Sequence, residues 1–344
     1  MGHPLERDLD HILAHTAGVW DFLRGERLFI TGGTGFVGTW LVESFAWANE
    51  RLKLNANATI LTRNPEAFRT KAPFASNHPA VQLLAGSLQN FDSSLNGCAF
   101  VIHAATDQRQ PSPEEPAGTF EREVNGTRRV LEFARERGVK RFLFTSSGAV
   151  YGKQPPDLEH VPEDYAGAPY PTAAGSAYGE AKRASELLCA SWARQFGFVT
   201  VITRLFAFAG PHLPLDSNFA VGNFVRDVLA GGPVRIAGDG TPYRSYLYAA
   251  DLTIWLWHLL VRGESARPYN VGSPNAITIR NLAQLIVDTV SPGIAIEIAR
   301  KPSAHAQPER YVPSVDRASN ELGLRAMIPL DEQIRRMYEW FSSP

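Results

Sequence analysis

The chain has 344 residues, 44% of them hydrophobic, enough for one large core or two that share elements. Its 34 basic and 35 acidic side chains leave a formal charge of −1, a balance that argues against a nucleic-acid partner. The longest apolar stretch, Ile254 to Val261, falls far short of the ~20 residues of a membrane span, and the N-terminus lacks a signal-peptide core, so a soluble cytoplasmic protein is expected.

Residues 1–26 form a leading segment in which Leu9, Ile12, Leu13, Val19, Trp20, Phe22 and Leu23 fit an amphipathic helix interrupted near Gly18. It reads as an extension packed on the main body, with a partner-binding arm as the alternative. From Arg27, strands are expected at Leu28–Thr31, Ala58–Thr62, Val81–Ala85, Phe100–Ala104, Arg141–Thr145 and Val199–Leu205. Helices are expected between them at Phe36–Asn49, Thr119–Arg137 and Ala177–Phe196. This alternation predicts an α/β fold, a Rossmann-type doubly wound parallel sheet over 27–205. Beyond it the prolines multiply, and helices are expected at Asn218–Ala230, Ala250–Val261 and Ile279–Thr289. A smaller mixed substrate-binding domain over 206–344 is expected, with segments near 245–262 returning to the first domain. Cys98 and Cys189 lie far apart among apolar neighbours and read as buried reduced thiols.

The first strand runs into Gly32-Gly33-Thr34-Gly35-Phe36-Val37-Gly38 and then a helix. Glycine serves where a backbone turns tightly and where it must approach a pyrophosphate, and a helix N-terminus favours an anion. Gly32, Thr34, Gly35, Phe36, Val37 and Gly38 are therefore expected to cradle a dinucleotide. At the end of the second strand Thr62 stands where an NAD-type site places an acid, and Arg63 follows it. With no carboxylate to repel a 2′-phosphate and a guanidinium to bind one, NADP is expected over NAD.

Tyr178 and Lys182 are separated by four residues at the start of a predicted helix, which puts phenol and ammonium on one face. A tyrosine titrates near pH ~10 and is a poor base at neutral pH; a nearby ammonium favours its phenolate. Ser147 leaves the carboxyl end of a predicted central strand, where open α/β sheets bind ligands, and could hold the reacting oxygen. These three side chains are the expected catalytic centre.

Together the glycine motif, Val101-Ile102-His103-Ala104-Ala105, Ser147, the Tyr178/Lys182 pair, Arg204 to Pro211 and Gly238 to Leu252 resemble the extended short-chain dehydrogenase/reductase family, in its nucleotide-sugar epimerase/dehydratase group. The resemblance runs from Arg27 to Trp340. It implies that Ala104, Ala105, Ser87 and Leu88 contact the cofactor, and that the substrate is a nucleotide-diphosphate sugar bound by Ser147, Asn223, Arg244 and Arg310. It also implies a homodimer built on the helices Thr119–Arg137 and Ala177–Phe196. Members that eliminate water or carbon dioxide carry acids in the two positions after the serine; here these are Gly148 and Ala149. The expected activity is therefore a sugar epimerase or a 4-keto-sugar reductase. The alternatives are a 4,6-dehydratase or decarboxylase with a non-standard acid, a reductase of non-nucleotide ketones, and a non-catalytic NADP-binding relative. The sequence departs from the family pattern at Ala207, at Ser87-Leu88 and at Glu123, where an asparagine is common.

Overall fold

The computed structural model describes residues 2–92, 97–106, 116–217, 219–303 and 307–343. Met1, Asn218 and Pro344, included in the predicted segments, lie outside them. The chain divides into two compact units, one of residues 1–152, 168–204 and 253–269, the other of 153–167, 205–252 and 270–344.

The first unit opens with α1 (Glu6–His15), a turn at Gly18 with φ +74°, and a short 3-10 helix at Trp20–Leu23. Its sheet strands are β1 (Arg27–Thr31), β2 (Asn57–Thr62), β3 (Val81–Ala85), β4 (Cys98–His103), β5 (Arg141–Ser147) and β6 (Val199–Leu205). Its helices are α2 (Phe36–Leu52), α3 (Pro65–Lys71), α4 (Pro73–Asn77), α5 (Pro116–Glu136) and α6 (Ala177–Phe196). Two- to three-residue strands β7 (Phe208–Ala209), β8 (Val234–Ile236), β9 (Tyr243–Arg244) and β10 (Leu247–Tyr248) follow, with α7 (Ala220–Leu229) between β7 and β8. Helix α8 (Ala249–Arg262) and strand β11 (Pro268–Val271) continue into a tail of β12 (Ile277–Thr278), α9 (Ile279–Val290), β13 (Ile296–Ile298), β14 (Arg310–Tyr311), α10 (Asp316–Leu322) and α11 (Leu330–Ser342).

Seven strands make the main sheet in the order β11-β6-β5-β4-β1-β2-β3, with parallel ladders joining β3, β2, β1, β4 and β5. The strand order reverses between β1 and β4, so the loops after these strands flank the crevice in which such sheets bind ligands. Strands β4 and β5 are buried along nearly their whole length, as strands covered on both faces should be. Phe29 of β1, Phe133 of α5 and Phe91 pack ring on ring, with centroids 4.7 to 5.8 Å apart. Cys98 and Cys189 are free and buried in this same cluster.

The leading segment packs into this unit through its aromatic and apolar face. Leu9, Ile12, Val19, Trp20 and Leu23 are buried. Trp20 donates to Thr16 Oγ1 at 2.7 Å and packs against Trp257 of α8 with ring centroids 4.9 Å apart and planes tilted by 53°, while Trp47 of α2 donates to Asp10 at 2.9 Å.

In the second unit α7, α9 and α11 pack together beside the parallel pair β8–β13. A three-stranded sheet has the order β12-β9-β14. Residues 153–167 belong to this unit because Val161 pairs with Pro313 and because Asn270 donates from its amide to Glu163 and from its side chain to the Val161 carbonyl. Helix α11, not foreseen from the sequence, buries Gln333, Ile334 and Met337 along one face. Among the described residues no helix is long and apolar enough to cross a membrane, and no group of three or more His, Cys, Asp or Glu side chains could hold a metal ion.

Candidate active site

The glycine turn is built so that each glycine meets a different demand. Gly32 has φ +69°, and a Cβ there would lie 2.4 Å from the backbone of Ala104 and Ala105 on the neighbouring strand end. A Cβ on Gly38 would lie 2.2 Å from the Gly32 carbonyl oxygen, so only glycine lets α2 start this close to β1. Gly35 is different: it is exposed, and the nearest atom to its would-be Cβ is the Gly32 oxygen at 3.4 Å. Gly35 caps α2, whose first-turn amides at Phe36, Val37 and Gly38 have no acceptor within the helix. An open glycine above first-turn amides that have no acceptor within the helix fits a dinucleotide pyrophosphate. Sequence reasoning missed Lys71 of α3, whose Nζ donates to the Thr34 carbonyl at 3.0 Å and whose pKa is lowered by burial. A lysine this far along the chain carries no local motif.

At the end of β2, Thr62 is buried and its hydroxyl accepts from the Asn64 amide at 3.2 Å, while Asn64 caps α3. Arg63 between them is exposed and has no partner among the described residues. After β3, Ser87 forms a turn with Asn90, and Leu88 packs against Gly126 of α5, where a Cβ would sit 2.8 Å from its Cδ1. Ala104 and Ala105 follow β4, held by the Thr31 carbonyl and hydroxyl respectively. Behind them His103 bridges Thr31 and Thr127, at 2.6 and 3.2 Å; full burial, helped by the Lys182 charge, drops its pKa to about 3. The imidazole is neutral and structural.

Ser147, Tyr178 and Lys182 all come from the ends of β5 and α6. Ser147 Oγ accepts from the Ala149 amide at 3.1 Å and caps a 3-10 turn at Gly148–Tyr151. Gly179 would carry a Cβ 2.7 Å from the Ala149 carbonyl oxygen, so its missing side chain lets the first turn of α6 rest on that segment. Tyr178, beside it, is half-buried. Lys182 lies one turn on, its Nζ 5.7 Å from the Tyr178 ring centroid and hydrogen-bonded to the Thr145 carbonyl at 3.1 Å. A buried network missed by sequence reasoning fixes these two elements to each other. Ser146 donates to Glu186 of α6 at 2.5 Å, Glu186 takes a two-pronged bond from Arg204, and Arg204 donates to the Tyr151 hydroxyl at 2.9 Å. The Glu186 partnership holds the Arg204 guanidinium firmly charged despite its burial.

The remaining expected residues belong to the second unit. Asn223 on α7 has a buried side-chain oxygen with no partner among the described residues. Arg244 of β9 is half-buried, bonds to the Tyr243 carbonyl at 2.8 Å and approaches Glu309 at 4.0 Å. Arg310 of β14 pairs with Tyr243 and lies over its ring, 4.2 Å from the centroid. Because side chains alternate along a strand, that register sends Arg244 and Arg310 to opposite faces of the small sheet. The structure therefore does not bring these two arginines together.

Comparison with known proteins agrees with this geometry. The model of the NAD dependent epimerase/dehydratase family matches residues 28–272, leaving α1 and the turn after it outside the match. A UDP-glucuronic acid decarboxylase of Arabidopsis thaliana is 30% identical over 317 residues, covering 92% of this chain and 69% of the relative. The structure is also similar to UDP-glucose 4-epimerase of Thermotoga maritima, with TM-score 0.77 and 23% identity over 92% of this chain and 98% of that one. UDP-glucuronic acid 4-epimerase of Bacillus cereus, solved with NAD and a fluorinated UDP-glucuronic acid, matches with TM-score 0.78 and 20% identity over 91% and 98% of the two chains. With its glycine cradle, strand-end serine and Tyr178/Lys182 pair on a seven-stranded doubly wound sheet, this chain belongs to the NAD dependent epimerase/dehydratase family and is an enzyme of the extended short-chain dehydrogenase/reductase type.

Proposed function

We propose that the protein is a nucleotide-sugar oxidoreductase that moves a hydride at a sugar carbon, as an epimerase or as a 4-keto-sugar reductase. The observation that carries this reading is the pairing of Tyr178 and Lys182 with a Ser147 turn whose next two residues, Gly148 and Ala149, offer no carboxylate. The bound nicotinamide supplies the hydride acceptor and donor. Tyr178 takes the hydroxyl proton in one direction and returns it in the other, helped by the Lys182 ammonium, which favours the phenolate. Ser147 hydrogen-bonds the same oxygen. Nothing at 148 or 149 can remove a C5 proton, so the ketone survives to be reduced again, on the opposite face for epimerisation. Arg244 and Asn223 are assigned the diphosphate and nucleotide end. Arg310, on the other face of its sheet and stacked on Tyr243, is not assigned with them.

NADP is the favoured cofactor. Thr62 leaves the strand end uncharged, and Arg63 is exposed and unpartnered among the described residues, ready for a 2′-phosphate. The similar Bacillus cereus structure was solved with NAD, which makes NAD the alternative. A homodimer on α5 and α6 is part of the proposal, supported by Leu187 standing 68% exposed on α6.

The similarity to UDP-glucuronic acid decarboxylases favours a second reading. Oxidising C4 of a glucuronate gives a β-keto acid, which loses carbon dioxide without a base, so the lack of acids at 148 and 149 opposes that chemistry less than it opposes dehydration. Incubation with UDP-glucose and UDP-glucuronic acid in the presence of NAD+ or NADP+, and with a 4-keto sugar nucleotide in the presence of NADPH or NADH, all in deuterated water and followed by NMR, separates the readings. C4 inversion or ketone reduction without solvent deuterium at C5 supports the first; carbon dioxide release with C5 deuteration supports the second. No turnover of any nucleotide sugar would overturn both.

A further inference from the structure

Glu123 occupies the helix position where family members commonly carry an asparagine, and it forms an ion pair with the lysine of the catalytic centre. Its Oε2 lies 2.9 Å from Lys182 Nζ, and the two side chains are 4% and 1% exposed. Its other oxygen accepts from the Thr106 hydroxyl at 2.8 Å, so both ends of the carboxylate are fixed. Lys182 spends a second donor on the Thr145 carbonyl and packs its ammonium 5.0 Å from the Phe144 ring. An ammonium has three donors, so among the described residues one is left for the cofactor and Tyr178.

An ammonium buried this completely is expensive, and without a counter-charge it gives up its proton at a much lower pH. Among the described residues, the other groups facing Lys182 supply no lasting negative charge. His103 on β4 is neutral, and the Cys189 thiol on α6 is kept protonated by burial. Tyr178 is the phenol that the lysine serves. Glu123 on α5 is the carboxylate among them, and with it present the Lys182 pKa is raised, not lowered, in spite of burial. An asparagine at 123 would accept a hydrogen bond but carry no charge.

We infer that Glu123 is the counter-ion that holds Lys182 in place and protonated in this site, a positioning residue that acts through the lysine and not on the substrate. The inference rests on the reading of Tyr178 and Lys182 as the proton-transfer pair. It makes the acid at 123 part of the site's electrostatics, where an amide would serve only as a hydrogen-bonding brace.

The test needs no substrate. The chain has six lysines, few enough to follow each ε-carbon by NMR after selective labelling, with K182M identifying the Lys182 signal. In the wild type, Lys182 should stay protonated to at least the ordinary lysine value of about pH 10.4. In E123Q its titration should fall by about two pH units or more, and E123D, which keeps the charge, should recover most of that fall. A folded E123Q or E123N protein whose Lys182 titrates with the wild type would overturn the inference. So would a wild-type Lys182 that loses its proton below about pH 9, a measurement that stands even if the variants do not fold. Because the readout is the lysine's own charge, its failure is distinct from a failure to turn over nucleotide sugars.

Discussion

Replacing Gly35 by alanine separates folding from cofactor binding in a way the geometry makes quantitative. The backbone at Gly35 has φ −73° and ψ −177°, open to any residue, and the added methyl meets only the Gly32 oxygen at 3.4 Å. Alanine is a poorer helix N-cap than glycine by about 0.5–1 kcal/mol, and the stiffer unfolded chain returns about 0.4–1 kcal/mol. The two nearly cancel, so Tm should move by no more than about 2 °C. The same methyl stands on the open side of the first-turn amides of α2. Losing one charge-assisted bond to the pyrophosphate costs about 1.5–3 kcal/mol, roughly a 10- to 150-fold rise in Kd. Fluorescence titration with NADPH and NADH, beside thermal melts, reads both quantities. Gly38→Ala is the contrasting control. Its Cβ would stand 2.2 Å from the Gly32 oxygen and 2.4 Å from Gly33 Cα, both backbone atoms, so that variant should lose its fold. A Gly35→Ala protein that binds either cofactor within about threefold of the wild type would refute the assignment of this turn to the pyrophosphate.

Other consequences can be measured on the same protein. Arg63→Ser should weaken NADPH about tenfold or more while leaving NADH nearly unchanged; equal effects on both would remove Arg63 from 2′-phosphate recognition. His103 is neutral in the folded state down to about pH 3, whereas an unfolded histidine protonates near 6.5. The unfolded state therefore binds the extra proton between those values, and stability should fall as pH drops through that window, at most about 1.4 kcal/mol per pH unit. Urea melts at pH 7 and pH 5 should show a smaller loss in His103→Gln, and an identical loss would place the acid sensitivity elsewhere. Removing residues 1–26 exposes partners of Leu9, Ile12, Val19, Trp20 and Leu23, each burial being worth about 1.5–3 kcal/mol. The truncated chain should be insoluble or melt well below the full one, and an unchanged melt would mean the extension contributes nothing to the unit.

Much of the first unit was legible because its signals are local. Short apolar runs followed by glycine, and a helical stretch after Gly38, mark β1 and α2 with no long-range information. The Tyr178/Lys182 spacing reads directly as one helix face. What stayed hidden depends on contacts between distant segments. The partners of Glu186, Ser146 and Arg204, come from two different strands, and Lys71 reaches Thr34 across 37 positions. Glu123 stood out in the sequence as a departure from the family pattern, but its role emerges only from the ammonium it faces. In the second unit, the paired strands are two or three residues long, too short for alternation to register. The opposite facing of Arg244 and Arg310 follows from a ladder that no periodicity could predict.

The most direct test of the proposed chemistry is Tyr178→Phe, which removes the proton carrier and keeps the ring beside Lys182. Cofactor affinity should stay within about threefold of the wild type. Turnover of the accepted nucleotide sugar should drop by about 10²- to 10⁴-fold. Undiminished turnover in that variant would contradict the assignment of proton transfer to this site.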